Sequence, residues 1–299
     1  MNLLITGAWR CRKEQLERME QLGHRVFFMP NEAGALPVAY ESVEGIVCNG
    51  LFLHHPIERF TNLRYIQLTS AGFDRVPMDY VQEHGIVIHN ARGVYSIPMA
   101  EFAVAGVLQL YKQSRFFYEN HKKRVWEKHR GLLELHGKQV CIVGCGSVGT
   151  ECAKRFSAFG CCVTGVDLHP YENDCYTHML ALECLDTALS EADVVVLTLP
   201  LTDESYHLVD KNRLEKMKAG AVLVNIARGA VVDTAALIEW LEAKRGAAVL
   251  DVFEEEPLGE ENPLWQLDNV ILTPHNSFVG EDNCARLSQL ILQNMRILK

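Results

Sequence analysis

Short apolar runs alternate with helical or polar stretches along the first third of the chain. The runs lie at residues 3–6, 26–29, 45–48, 65–68 and 87–89. A charged stretch with helical spacing separates the first two runs and ends at Gly23. Buried strands that alternate with helices form parallel sheets whose faces the helices cover. This pattern therefore predicts an α/β domain.

A second series of apolar runs follows a long apolar helical pattern at residues 99–110. The runs of this series lie at 139–143, 162–166, 193–198, 221–225, 248–252 and 270–272. They predict a second parallel sheet, and a length of 299 residues suits two domains. The stretch 90–101, which contains glycine and proline, is the predicted crossing between the domains.

One junction in the second series has the pattern of a dinucleotide-binding loop. A predicted strand stops at Gly144-x-Gly146-x-x-Gly149, and helical spacing follows. Gly144 permits a tight turn, Gly146 lets a pyrophosphate approach the backbone, and Gly149 lets the helix pack closely on its strand. The helix N-terminus, with Ser147 and Val148 in its first turn, offers N–H groups and a partial positive charge to phosphates. A glycine-rich turn that binds nothing is the alternative, but the order of strand, glycines, helix, strand and acid favours a dinucleotide.

An acidic residue, Asp167, follows the next strand run. It comes about 20 residues after the glycine loop, where a carboxylate accepts hydrogen bonds from the adenosine ribose hydroxyls. Leu168 and His169 follow it, and neither is an arginine. Asp167 would repel a 2′-phosphate, which would also lack a cationic partner. The sequence therefore predicts NAD rather than NADP.

Composition narrows the range of partners. A net charge of −9 and an isoelectric point near 5.7 argue against nucleic acids and anionic membranes, because both bind basic surfaces. The longest apolar stretch is shorter than the ~18 residues of a membrane span, and the N-terminal apolar run is too short for a signal peptide. The spacing of the ten cysteines matches neither a disulfide framework nor a zinc site. We therefore expect a cytoplasmic protein without a metal, in which the cysteines are small buried hydrophobes.

Loops that leave strands of the first domain are candidate ligand contacts. Those at residues 7–10, 49–52 and 70–74 are the three that stand out. Ser70, Ala71 and Gly72 form the best candidate for an anion site, because Gly72 lets successive backbone N–H groups converge. A plain turn is an alternative of equal weight. Arg10 and Arg75 could add positive charge, although each also suits an ordinary surface position.

Strand ends of the second domain carry residues suited to acid–base chemistry. Thr202, Arg228, Glu256 and His275 follow four of its strands and should meet at one edge of the sheet. A guanidinium can hold a carboxylate by two hydrogen bonds, an imidazole exchanges a proton near neutral pH, and a neighbouring carboxylate stabilises the charged imidazole. With NAD, this combination suits hydride transfer to or from a 2-hydroxy acid. Alternatively, Arg228 forms a surface ion pair, Glu256 belongs to a run of three acids, and His275 only ends a strand.

The sequence resembles the D-isomer-specific 2-hydroxyacid dehydrogenases. The matching segments follow the order of that family and span nearly the whole chain. They are residues 70–74, 90–101, 144–167, 199–202, 224–229, 251–258 and 273–275. The resemblance implies an α/β protein of two Rossmann-like domains with parallel, doubly wound sheets. Residues 1–97 and 277–299 would form a flavodoxin-like substrate domain, and residues 98–276 the NAD-binding domain, with the active site in the cleft.

The resemblance also implies roles for individual residues. Arg228 would bind the substrate carboxylate and carbonyl, His275 would be the acid/base, and Glu256 would be its partner. Asp251 would lie near the nicotinamide carboxamide, and the loop of Ser70, Ala71 and Gly72 would bind the substrate carboxylate. Further cofactor contacts are expected at Leu199, Pro200, Thr202, Ile226, Ala227, Arg228 and His275. Family members are typically dimers through the cofactor domain and an arm that corresponds here to residues 116–130, so we expect a homodimer. Packing of the aromatic residues of this segment within the chain is the alternative.

The sequence leaves the substrate open. After His275 it reads Asn-Ser-Phe-Val-Gly, where many family members have a small, glycine-containing run. Glyoxylate, hydroxypyruvate and 3-phosphoglycerate are all candidates. A non-enzymatic protein that binds NAD(H) and responds to it by domain closure is the alternative function.

Overall fold

The computed structural model describes residues 1–297, and the chain forms two compact units. Met1–Tyr95 and the residues from Gly280 onward make the first unit, and Ser96–Val279 makes the second. The resemblance places the corresponding boundaries at residues 97 and 277.

The elements alternate along the chain as the apolar runs predict. The strands are β1 (Asn2–Thr6), β2 (Arg25–Met29), β3 (Gly45–Cys48), β4 (Tyr65–Leu68), β5 (Val87–His89), β6 (Gln139–Val143), β7 (Cys162–Asp167), β8 (His178–Ala181), β9 (Val194–Leu197), β10 (Ala221–Asn225), β11 (Gly246–Leu250) and β12 (Val270–Leu272). The α-helices are α1 (Lys13–Gln21), α2 (Met78–Glu83), α3 (Ser96–Tyr111), α4 (Ser114–Lys123), α5 (Ser147–Ala158), α6 (Leu185–Glu191), α7 (Lys211–Lys216), α8 (Thr234–Glu242) and α9 (Asn283–Ile297).

The first unit contains a parallel sheet in the order β2-β1-β3-β4-β5. This is the flavodoxin-like order, in which the chain changes direction across the sheet between β1 and β3. Strands β3 and β4 are buried along their whole length because helices cover both faces. The last helix, α9, belongs to this unit, and its Ser288 accepts a hydrogen bond from the Trp9 indole at 3.0 Å.

The second unit contains a parallel sheet in the order β12-β11-β10-β9-β6-β7-β8. Counted from β6, this is the Rossmann order with one more strand at the edge. Every residue of β9 and β10 is buried. The predicted class, two α/β domains with parallel doubly wound sheets, is therefore confirmed.

Three details differ from the sequence pattern. Helix α3 begins at Ser96 rather than residue 99, because Pro98 lies in its first turn, where no backbone N–H is needed. Helix α3 ends at Tyr111, and Gln113, which has a left-handed φ of 52°, separates it from α4. Strand β8 was not predicted, because its short apolar run at residues 179–181 is only half-buried and continues directly into a 3-10 helix at Leu182–Cys184. Within residues 1–297, no helix has the length and apolar character required to cross a bilayer.

Candidate functional site

The glycine loop between β6 and α5 depends on close backbone approaches. Gly144 has φ of +93°, and a Cβ there would lie 2.7 Å from the Leu199 backbone nitrogen. A Cβ on Gly149 would lie 2.2 Å from the Gly144 carbonyl oxygen. Both positions therefore require glycine for the fold itself, one for the turn against the β9 loop and one for packing of α5 on the turn.

Gly146 is different, because the fold does not require it. Its φ of −71° is open to any residue, and a Cβ there would meet nothing within 4 Å. Helix α5 begins at the next residue, Ser147, and leaves its first N–H groups directed outward as any helix does. An open space in front of a helix N-terminus suits a phosphate group. The loop therefore fits the pyrophosphate of a dinucleotide.

Asp167 ends β7 next to this loop. Its carboxylate accepts hydrogen bonds from the Cys145 N–H at 2.7 Å and from the His169 N–H at 3.1 Å. These bonds orient a half-buried carboxylate at the strand end, where a ribose would lie. Cys145 itself is buried, and burial raises the pKa of its thiol to about 12, so it remains a neutral apolar group.

The loop after β9 packs against the glycine loop through Leu199. Its conformation depends on Ser205, whose hydroxyl donates to the Pro200 carbonyl at 2.8 Å and accepts from the Thr202 N–H at 2.7 Å. The sequence-predicted residues Leu199, Pro200 and Thr202 therefore belong to one ordered loop at the carboxyl end of the sheet.

The loop after β10 carries Arg228. Asn225, which is 1% exposed, accepts a hydrogen bond from the Ala227 N–H at 3.1 Å and donates to the Arg228 carbonyl at 3.0 Å. The guanidinium donates to the Ala227 carbonyl at 2.8 Å and is half-buried. Ile226 and Ala227 are buried below it. Sequence reasoning missed the role of Asn225, although a polar residue that ends an apolar strand is a usable signal.

The loops after β11 and β12 bring Glu256 and His275 together. The His275 Nδ1 lies 2.9 Å from Glu256 Oε2, and both side chains are partly exposed, at 43% and 38%. The other carboxylate oxygen of Glu256 accepts from the Phe253 N–H at 3.1 Å. A carboxylate at Nδ1 keeps the proton on that nitrogen and leaves Nε2 for exchange with a ligand. The structure thus contains the contact that the sequence predicted between these two residues.

Asp251 holds the backbone around His275. It is fully buried, and its carboxylate accepts from the Thr273 hydroxyl at 2.6 Å, the Asn276 N–H at 2.7 Å and the Ser277 N–H at 2.9 Å. Its carbonyl accepts from the His275 N–H at 2.8 Å. His275 consequently keeps a left-handed φ of 50°, which is uncommon for a residue with a side chain and which occurs at functional sites. The structure shows Asp251 supporting His275, and its contact with a carboxamide stays a prediction.

Glu254 connects the loops after β9, β10 and β11, a role that the sequence did not predict. Its carboxylate lies 3.0 Å from His207 Nε2, in the loop after β9, and accepts from the Thr234 N–H at 2.9 Å. Burial alone would raise its pKa, but the hydrogen bonds from Thr234 and His207 hold the pKa of the Glu254 carboxyl below its usual range. A Cβ on Gly229 would lie 2.3 Å from the Glu254 nitrogen, so the Arg228 loop lies directly against the loop that carries Glu256.

In the first unit, the predicted anion loop follows β4. The Ser70 hydroxyl donates to the Gly72 carbonyl at 3.0 Å, and the Asn90 amide donates to the Ala71 carbonyl at 2.6 Å. Among the described residues, the N–H groups of Ala71 and Gly72 have no acceptor within the protein. The loop therefore has backbone donors available for an anion.

Comparison with known proteins assigns the second unit. Residues 104–277 match the model of a family described as D-isomer specific 2-hydroxyacid dehydrogenase, NAD binding domain. The matched segment contains the glycine loop, Asp167 and the loops of Arg228, Glu256 and His275. The prediction that NAD is the cofactor is thereby confirmed.

Individual relatives support the same assignment. The chain is 35% identical over 241 residues to a glyoxylate reductase of Thermofilum pendens, covering 78% of this chain and 71% of that protein. It is 38% identical over 221 residues to a D-3-phosphoglycerate dehydrogenase of Archaeoglobus fulgidus, covering 73% of this chain but only 42% of the relative. A solved D-lactate dehydrogenase of Aquifex aeolicus, complexed with NAD and lactic acid, matches with a TM-score of 0.79 at 25% identity, covering 99% of this chain and 95% of that one.

Proposed function

We propose, since this chain belongs to the D-isomer specific 2-hydroxyacid dehydrogenase family, that it interconverts a small D-2-hydroxy acid and its 2-keto acid with NAD. The observation that carries the proposal is the pair of Glu256 and His275, with 2.9 Å between Oε2 and Nδ1, in the loops beside that of Arg228. An imidazole held by a carboxylate is suited to deliver a proton to an oxygen that gains negative charge. Bound NADH supplies the hydride that the keto carbon receives.

Each of the three residues has one task in this proposal. The guanidinium of Arg228 binds the substrate carboxylate and polarises the carbonyl oxygen through its planar set of donors. His275 donates a proton from Nε2 to that oxygen during reduction and accepts it during oxidation. Glu256 fixes the ring through Nδ1 and stabilises its charged form. Reduction thus consumes one hydride and one proton per carbonyl, and oxidation releases both.

We infer that the cofactor is NAD(H) rather than NADP(H). Asp167 presents an oriented carboxylate at the end of β7, and the described residues include no ion pair between it and a lysine or arginine. Such a carboxylate accepts hydrogen bonds from ribose hydroxyls and repels a 2′-phosphate. Contacts from Ser147, Val148, Thr202 and Asp251 to the cofactor belong to the same proposal.

The first unit is proposed as the substrate-binding domain, through the loop of Ser70, Ala71 and Gly72. The proposal is supported by the backbone donors that this loop leaves available.

A homodimer is proposed through the second unit and residues 116–130. In that segment Tyr118 is 55% exposed and Trp126 is 96% exposed, which is unusual for large aromatic side chains on a monomer surface. A cytoplasmic location also remains a prediction.

The proposal is tested by mixing the protein with NADH and a panel of 2-keto acids and following the loss of NADH absorbance. The panel contains glyoxylate, hydroxypyruvate, pyruvate and 3-phosphohydroxypyruvate. We expect turnover of at least one acid, and the product of pyruvate or hydroxypyruvate should have the D configuration on chiral chromatography. NADH binding without turnover of any acid would refute the proposed activity and favour a non-enzymatic NAD(H)-binding role.

A further inference from the structure

The carboxylate of Glu32 lies at the carboxyl edge of the first sheet, where open α/β sheets bind their ligands. We propose that Glu32 restricts this enzyme to 2-keto acids with a single negative charge and excludes acids that carry a second anionic group, such as a phosphate. The inference rests on the proposed function, and within it on the substrate loop of Ser70, Ala71 and Gly72.

Three donors hold Glu32 in place. Its Oε1 accepts from the Thr6 hydroxyl at 2.7 Å and from the Asn49 N–H at 2.7 Å, and its Oε2 accepts from the Gly50 N–H at 2.8 Å. Thr6 is the last residue of β1, and Asn49 is the first residue after β3. Glu32 therefore spans the ends of two neighbouring strands.

These two strands flank the point where the order of the sheet reverses. In the order β2-β1-β3-β4-β5, the connections from β1 and from β3 lead in opposite directions, which opens a crevice between their ends. The backbone N–H groups at this crevice would suit a phosphate. Here they already bind a carboxylate of the protein itself. A second anionic group at the crevice would therefore meet N–H groups that are already bonded to Glu32, and the fixed negative charge of Glu32 would repel it.

The crevice lies beside the proposed substrate loop within the same unit. The Thr69 N–H donates to the Cys48 carbonyl at 2.8 Å, so the loops after β3 and β4 begin side by side. Adjacent strands are about 4.8 Å apart, which puts Glu32 roughly 5–10 Å from a carboxylate bound by the Ala71 and Gly72 N–H groups. In a phosphorylated three-carbon keto acid whose carboxylate is bound there, the phosphate lies at a comparable distance from that carboxylate.

Arg75 is a cation near the crevice that would favour the opposite outcome. Its Cδ lies 3.7 Å from the position that a Cβ on Gly50 would occupy, and Glu32 Oε2 lies 3.5 Å from the same position. Arg75 is exposed and forms no ion pair with any described residue. Because Glu32 is anchored by three hydrogen bonds and Arg75 by none, the fixed charge at the crevice is negative.

The test compares two substrates that differ only by a phosphate. We would measure kcat/KM for hydroxypyruvate and for 3-phosphohydroxypyruvate with the wild type, Glu32→Gln and the control Glu44→Gln. Glu44 lies before β3, at the opposite end of the same sheet, where it accepts from the Asn2 N–H at 2.7 Å. The control thus removes an equal charge from the same unit, far from the crevice.

We expect the wild type to prefer hydroxypyruvate. Glu32→Gln should raise the kcat/KM of the phosphorylated acid relative to that of hydroxypyruvate at least about tenfold, because it removes a negative charge that repels the phosphate at this distance. Glu44→Gln should leave the ratio unchanged. The inference would be overturned if the wild type preferred the phosphorylated acid, above all if Arg75→Ala abolished that preference. It would also be overturned if Glu32→Gln and Glu44→Gln had equal ratios of kcat/KM for the two acids. Turnover of none of the four acids of the panel would instead refute the proposed function.

Discussion

Replacement of Gly146 with alanine should weaken NADH binding while the fold remains intact. A Cβ at this position meets no protein atom within 4 Å, and the backbone has φ of −71° and ψ of −158°, which alanine adopts freely. The new methyl group therefore does not clash with the protein. It projects into the space in front of α5 that we assign to the pyrophosphate.

Two opposing effects determine the expected change in the free energy of unfolding, and the loss of hydrogen bonds to the phosphate determines the expected change in NADH affinity. Replacing glycine with alanine at an allowed conformation stabilises the folded protein by about 0.4–1 kcal/mol. Alanine at an N-cap position destabilises it by roughly the same amount. The melting temperature should therefore stay within about 3 °C of the wild type. Loss of one or two hydrogen bonds to a charged phosphate costs about 1.5–3 kcal/mol each. The Kd for NADH should rise by between about tenfold and about ten-thousandfold.

The assay is a fluorescence titration with NADH, run beside a thermal melt. Gly149→Ala is the matched control, because its Cβ would lie 2.2 Å from the Gly144 carbonyl oxygen and should destabilise the protein itself. Gly146→Ala with a Kd within about twofold of the wild type would refute the assignment of the pyrophosphate to this loop. A collapse of its melting temperature would refute the claim that the fold does not need the glycine.

Three further substitutions test the proposed site. Asp167→Ser should narrow the preference for NADH over NADPH in kcat/KM, and equal values for both cofactors in the wild type would contradict the role of Asp167. Arg228→Lys keeps the charge but loses the planar pair of donors, so kcat/KM for the keto acid should fall by about a hundredfold or more while the Kd for NADH changes little; near-normal turnover would remove Arg228 from the site. Glu254→Ala should lower kcat and raise KM for the keto acid, because the loop of Glu256 is no longer held against that of Arg228. Glu255→Ala, one residue further along, should change neither value, and equal effects of the two substitutions would mean that the contacts of Glu254 do not support the site.

The fold could be predicted from the sequence because its strands are short, buried and apolar. Parallel strands covered on both faces have no polar side to interrupt the run, as β9 and β10 illustrate. Strand β8 at the sheet edge is only half-buried, and its short apolar run continues directly into a 3-10 helix, so the sequence does not separate it from the helical segment that follows. The predicted start of α3 was three residues late, because the apolar helical pattern begins only at residue 99, whereas Pro98 can lie within the first helical turn.

The candidate site could be predicted only in part. Glycines and charged residues at strand ends are visible in a sequence, because their chemistry differs from that of the core. The supporting contacts are not visible, since they join residues far apart in the chain. Asp251 binds the backbone of residues 276 and 277, and Glu254 binds His207 across 47 residues. The anchoring of Glu32 by Thr6 and Gly50 likewise depends on strand order, which the sequence pattern does not fix.

The most direct test of the central claim measures NADH binding and turnover together in the wild type and in His275→Ala. With the best keto acid of the panel and saturating NADH, we predict that the substitution lowers kcat by about 10²- to 10⁴-fold, the usual contribution of general acid–base catalysis. The Kd for NADH should remain close to that of the wild type, because the glycine loop and Asp167 are untouched. A His275→Ala protein that still reduces the acid within about tenfold of the wild-type rate would contradict the proposed mechanism.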